Sequence, residues 1–148
     1  LVLGGPAPYF AEHLEKISGY PVTVIPSWQV ANAIGAALAR TTCEVTLFAD
    51  TERGILTAPE EKFKKNISRD FTRDQAVQQA YELLKQKALE KGASSEDLEM
   101  ELLEDQTFNM VRGFQTTGKN IRIKAQVKPG LSQQYKSVVE KLSLQSNS

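Results

Sequence analysis

The chain has 148 residues, 41% of them hydrophobic and 24% charged, a composition that suits a soluble globular protein and excludes intrinsic disorder. Eighteen basic side chains balance eighteen acidic ones, so no net field recruits nucleic acid or an anionic membrane surface. The single cysteine, Cys43, excludes an internal disulfide framework and fits a reducing, cytoplasmic setting, and no apolar run reaches the ~20 residues needed to span a bilayer.

In chain order, Leu1-Val2-Leu3 reads as a short buried strand closed by Gly4-Gly5. The chain opens inside this apolar run, with neither an initiator methionine nor a basic n-region, so it is expected to be a segment of a longer polypeptide, cut or processed. Pro8 suits the first turn of a helix whose apolar stripe is Phe10, Leu14 and Ile17, with Gly19 as its C-terminal stop. Val22 to Ile25 is β-branched and bounded by Pro21 and Pro26, which predicts a second strand. Ser27 is placed to cap a helix running to about Arg40, with Val30, Ile34 and Leu38 facing a core. Ala31, Gly35 and Ala39 recur every four residues. Because Gly in mid-helix costs up to ~1 kcal/mol relative to Ala, close packing against a neighbour is expected at Gly35. This strand–helix–strand–helix order predicts an α/β architecture over residues 1–42.

Residues 43–148 read as a smaller α+β unit. Cys43 to Ala49 and Ile55 to Ala58 flank Asp50-Thr51-Glu52-Arg53-Gly54 as a hairpin. The lysine-rich stretch from Glu60 to Arg69 reads as a linker. Thr72 and Gln75 fit a capping box that opens a helix with Val77, Ala80, Leu84 and Ala88 inward, ending at Gly92. Two long strands follow, in which Leu98, Met100 and Leu102 and then Ile121, Ile123, Ala125 and Val127 alternate with polar residues. Their outer faces carry opposite charges, which predicts antiparallel pairing of the carboxylates with Arg122 and Lys124. Pro129-Gly130 stops the second strand, and Leu131 to Leu142 is predicted as a last helix before a frayed tail.

Several motifs weigh less than they look. Gly113 to Asn120 nearly matches a P-loop, but Asn120 stands where a Mg²⁺-binding hydroxyl is needed and a strand pattern follows, so the segment reads as a hairpin loop. His13 lacks a sequence-adjacent nucleophile and reads as a partly exposed structural residue, and Cys43 as a buried small hydrophobe. Glu96, Asp97, Glu99, Glu101, Glu104 and Asp105 imitate a metal cluster, but strand alternation predicts a solvated acidic face. Asn66-Ile67-Ser68 is a chance sequon, and Lys62, Lys64 and Lys65 form a solvated linker rather than a phosphate patch. No catalytic or metal-ligating residue is assigned.

Gly4-Gly5-Pro6-Ala7, set between strand and helix, lets a flat ring or ribose approach the main chain. The helix N-terminus behind it favours anionic groups. Together with the strand and the Gly35-Ala36-Ala37 helix that follow, this order resembles the end of the second lobe of actin-like ATPases. Val30-Ala31-Asn32-Ala33-Ile34-Gly35-Ala36 after Pro26, Ala49 to Gly54, and Gln126 to Gly130 resemble the hydantoinase/oxoprolinase A-type proteins most closely, over nearly the whole chain. The resemblance implies that residues 1–42 are the terminal portion of an actin-like ATPase lobe in a parent hydrolase that opens cyclic amides with ATP and Mg²⁺. Only Gly4, Gly5, Pro6 and Ala7 carry over as nucleotide-binding positions, and Pro6 departs from the small residue common there. The phosphate loops and Mg²⁺ carboxylates of that superfamily precede the matching region. The fragment is therefore expected to be inactive alone and to bind no cofactor tightly. Its expected partner is the rest of the parent chain or a second hydantoinase/oxoprolinase subunit, with no nucleic acid or membrane. The competing readings are a non-catalytic assembly module and another actin-like ATPase, such as a carboxylase subunit or a dehydratase activator.

Overall fold

Val45, Leu47 and Ala49 are buried while Glu44 before them and Phe48 between the last two are exposed, and this alternation gives residues Glu44–Asp50 (β1), the middle strand of the sheet, two different faces. In the computed structural model, which describes residues 1–132 and Tyr135, the chain is mixed α/β. Its described residues divide into two units, Leu1–Ala39 with Tyr135 and residues 40–132.

The second unit is a five-stranded antiparallel sheet with a helix on one face. Its other strands are β2 (Ile55–Ala58), β3 (Phe63–Asn66), β4 (Met100–Arg112) and β5 (Gln115–Val127), in the spatial order β3-β2-β1-β5-β4. A helix, Arg73–Glu90, packs against β1 and β5. Numbered in chain order it is α3, after α1 (Ala7–Ser18) and α2 (Ala31–Leu38) of the first unit. The core is formed by Val45, Leu47, Leu56, Leu84, Ile121 and Ile123, each no more than 2% exposed, with smaller residues between them. Four alanine-sized and leucine positions at spacing four, Ala76, Ala80, Leu84 and Ala88, form the buried stripe of α3. Val77, expected on that stripe, lies at its margin, partly buried, because Ala76 continues the spacing of four toward the N-terminus. The capping box is present: Gln75 N–H donates to the Thr72 hydroxyl at 3.3 Å, and Thr72 N–H donates to Gln75 Oε1 at 2.9 Å.

β4 and β5 pair antiparallel with irregularities at Leu102/Glu104 and Met110/Val111. Their two-residue turn has positive φ at Gly113 (55°) and Phe114 (52°), the requirement of a type I′ hairpin turn. The P-loop-like segment is thus a hairpin, with Gly118, Lys119 and Asn120 inside β5. Between β1 and β2, Gly54 has φ +67°, and its carbonyl accepts from Ile67 N–H at 2.9 Å. The stretch from Glu60 to Arg69 is no linker. A 3-10 turn, Pro59–Glu61, leads to β3, whose lysines are exposed while its main chain pairs with β2, so edge-strand polarity had hidden a strand.

In the first unit α1 ends as expected at Gly19, in a left-handed conformation with φ 70°. The predicted strands, however, reduce to a single parallel bridge between Val2 and Val24. Ser27 does not cap α2. Its φ of 60° places it in a turn closed by Val30 N–H donating to Ser27 O at 3.1 Å, so the helix starts at Ala31 and ends at Leu38. Nothing among the described residues lies within 4 Å of where a Cβ would stand on Gly35, so the expected close packing is not found there. The helix expected over Leu131 to Leu142 falls almost entirely outside the described residues. No described helix is long and apolar enough to cross a membrane.

Candidate functional site

The Gly4–Ala7 segment turns the chain from the Val2 bridge into α1. Val2 N–H donates to Thr23 O at 2.9 Å and Ile25 N–H to Val2 O at 3.1 Å, which fixes the approach of the segment. Gly4 has φ +99°, a conformation that other residues rarely adopt. Nothing described stands within 4 Å of a Cβ built on Gly4 or Gly5, so a flat group has room against this main chain. A cavity of about 260 Å³ beside it is lined by Val2, Leu3, Pro6, Ala7, Phe10 and His13, with Leu14. Of the four positions singled out in the sequence, Pro6 and Ala7 therefore line this cavity, and Gly4 and Gly5 make the turn before it. His13, read as a structural residue, also lines it. Only the helical period could have signalled this, because Phe10 and His13 are three apart.

The helix N-terminus is a poorer anion site than its position suggests. Ala7 N–H donates to Gly4 O at 3.0 Å, Pro8 has no N–H, and Tyr9 N–H donates to Pro6 O at 3.1 Å. With these first-turn donors used or absent, the segment suits the uncharged part of a nucleotide better than its phosphates.

A second cavity, of about 540 Å³, lies on the sheet face opposite α3. Strand register builds it. Lys64, Thr57, Phe48, Arg122 and Gln106 form one cross-strand row, and Asn66, Ile55, Asp50, Asn120 and Phe108 form the next. The Arg122 guanidinium lies 5.7 Å from the centre of the Phe48 ring and pairs with Glu104 at 3.2 Å. Arg53 pairs with Asp50 at 3.7 Å. Phe48 is 41% exposed and Phe108 60%. The sequence hid this pair, since a lone aromatic within a strand carries no sign of which face it occupies.

Of the acidic residues expected to form one solvated face, Glu104 pairs with Arg122 as expected, while Glu99, Glu101 and Asp105 have other partners. Glu99 takes Arg40 at 3.1 Å and Lys128 at 2.9 Å, and both hold its carboxyl below the usual range. Asp105 pairs with Arg73 and is likewise lowered. Glu101 accepts from Gln126 at 2.6 Å. Lys124 pairs not with this group but with Glu44 on β1, at 3.1 Å, because β1 is the other neighbour of β5. Among the described residues no group of three His, Cys, Asp or Glu side chains is placed to hold a metal ion. Cys43 is part of the core, 9% exposed, and burial pushes its thiol pKa up.

No family model matches the chain, and neither does any curated protein or solved structure.

Proposed function

We propose that the chain is a non-catalytic part of an ATP-dependent cyclic-amide hydrolase of hydantoinase/oxoprolinase type. Its first unit would form the adenosine-side edge of an actin-like ATPase lobe through Gly4, Gly5, Pro6 and Ala7. Its second unit would be an assembly surface. In the parent protein, ATP with Mg²⁺ supplies the phosphoryl group that drives ring opening. The residues of this chain contribute room and an apolar wall for the nucleoside.

The observation that carries this reading is the surface of the first unit. Ala7 is its only buried hydrophobic residue among those described, whereas Leu1, Leu3, Tyr9, Phe10, Ile17 and Tyr20 are each more than half exposed. A stretch with so much apolar surface and so little core fits a piece of a larger lobe. The test is calorimetry together with size-exclusion chromatography. The chain alone is expected to give no micromolar Mg·ATP binding. Mixed with the separately produced remainder of a hydantoinase/oxoprolinase-type ATPase, it should form a complex, and a Phe10→Glu variant should weaken that complex. Micromolar Mg·ATP binding by the chain alone, or no complex with the remainder, overturns the reading.

The sheet-face cavity favours a second reading, a plain interaction module. There Phe48→Ala, and not Phe10→Glu, would abolish partner binding.

A further inference from the structure

A third cavity, of about 510 Å³, lies between the Pro59–Glu61 turn, the start of β3 and the C-terminal half of α3. Glu61 and Lys87 form its innermost polar pair. Lys87 Nζ donates to Glu61 Oε1 at 2.5 Å and to the Glu44 carbonyl at 2.8 Å, so the ammonium is held from two sides. The side chains are only 10% and 22% exposed, for Glu61 and Lys87 respectively. The second carboxylate oxygen, Glu61 Oε2, is buried and has no hydrogen-bond partner among the described protein groups. An ionised carboxylate only accepts, and a buried acceptor left unmatched is costly, so the site asks for a donor. Lys62 and Lys91 add cations to the lining, Glu60 and Glu90 add carboxylates, and half-buried Phe63 and Leu83 add an apolar wall.

We propose that this cavity binds a small zwitterion of the α-amino acid class with an apolar side chain. Its ammonium donates to Glu61 Oε2 once the carboxylate turns toward the cavity, while Lys87 keeps the other oxygen. Its carboxylate lies toward Lys91 and Lys62, and its side chain covers Phe63 and Leu83. A simple amine leaves the two outer lysines unmatched, and a simple carboxylate leaves Glu61 Oε2 unmatched. The site lies wholly within the second unit and does not depend on the nucleotide reading of Gly4–Ala7.

The experiment is an NMR titration of the whole chain with L-leucine, and with isoamylamine and 4-methylpentanoate as partial ligands. Saturable shifts at Phe63, Leu83 and Lys91 are expected with leucine, and each partial ligand should bind about tenfold more weakly, the usual scale of losing one charge-assisted contact. Glu61→Gln should weaken leucine binding roughly tenfold. Lys91→Ala, an exposed position that does not put folding at risk, should weaken leucine but leave isoamylamine unchanged. Absence of saturable shifts with leucine, or equal binding of leucine and 4-methylpentanoate, overturns the proposal, as does a Lys91→Ala variant that binds leucine as the parent does.

Discussion

Glu99 illustrates how much one side chain can organise at the end of a sheet. Arg40 and Lys128 both bind it, its pKa is lowered, first by Lys128 and then by Arg40, and that of Lys128 is raised by Glu99. A depressed carboxylate contributes stability that is complete above its unfolded value of ~4.3 and is lost as pH falls through the lower folded value. The raised Lys128 contributes below ~10.4 and loses its share as pH rises through its folded value. Melting temperature followed against pH should therefore show Glu99→Gln less stable than the parent between those limits, with the gap closing on the acid side. A gap that persists unchanged as pH falls below the folded carboxylate value would show that the ion pairs are not its source. Gly118 is the second decisive position. A Cβ there would stand 2.8 Å from Glu52 N and 2.9 Å from Glu52 Cβ, because the Thr51 hydroxyl accepts from Lys119 N–H and pins the 50–55 loop onto β5. Gly118→Ala should cost about 1–3 kcal/mol in urea unfolding, with the slope unchanged.

At the scale of elements, α3 and the strands it covers hold the second unit together. Thr72→Ala removes half of the capping box and should lower stability by about 1 kcal/mol, whereas Leu84→Ala opens the core and should cost roughly 2–5 kcal/mol. Denaturant unfolding of the two variants tests the order, and equal costs would show that the cap is coupled to the core. These same elements were the legible ones. Thr72 with Gln75 and the alternation of Ile121, Ile123, Ala125 and Val127 state a local period and a local hydrogen bond, and neither needs the rest of the chain. Ser27 misled, because a capping residue and a turn residue share the same chemistry and only the backbone at φ 60° separates them. β3 was missed since Phe63-Lys64-Lys65-Asn66 pairs through its main chain on one side only, which leaves side-chain composition silent. Of the candidate sites, the Gly4–Ala7 turn could be read in advance. The Glu61–Lys87 pair could not, because it joins residues 26 apart in sequence through the arrival of α3 beside the Pro59–Glu61 turn.

At the scale of the whole molecule the two units differ in kind. Among the described residues, every buried hydrophobic side chain except Ala7 lies in residues 40–132, so that stretch carries its own core. Residues 40–132 produced alone should unfold in one cooperative transition by circular dichroism and protect the amides of β1 and β5 from exchange, while residues 1–39 alone should show little helix or protection. A cooperative transition in the shorter piece would mean that its apolar surface is covered from within. One detail of the larger unit reaches further. Arg40 N–H donates to the Gly130 carbonyl at 2.9 Å, and its guanidinium also reaches the carbonyls of Lys128 and Leu131. The first and last described turns of that unit are thus stitched side by side. Where the two ends of a folded stretch meet, they can be spliced to each other and the chain reopened elsewhere, for instance at the exposed Gly113-Phe114 turn. The same adjacency lets such a unit be inserted into a loop of a host protein as a cassette, entering and leaving through one gap.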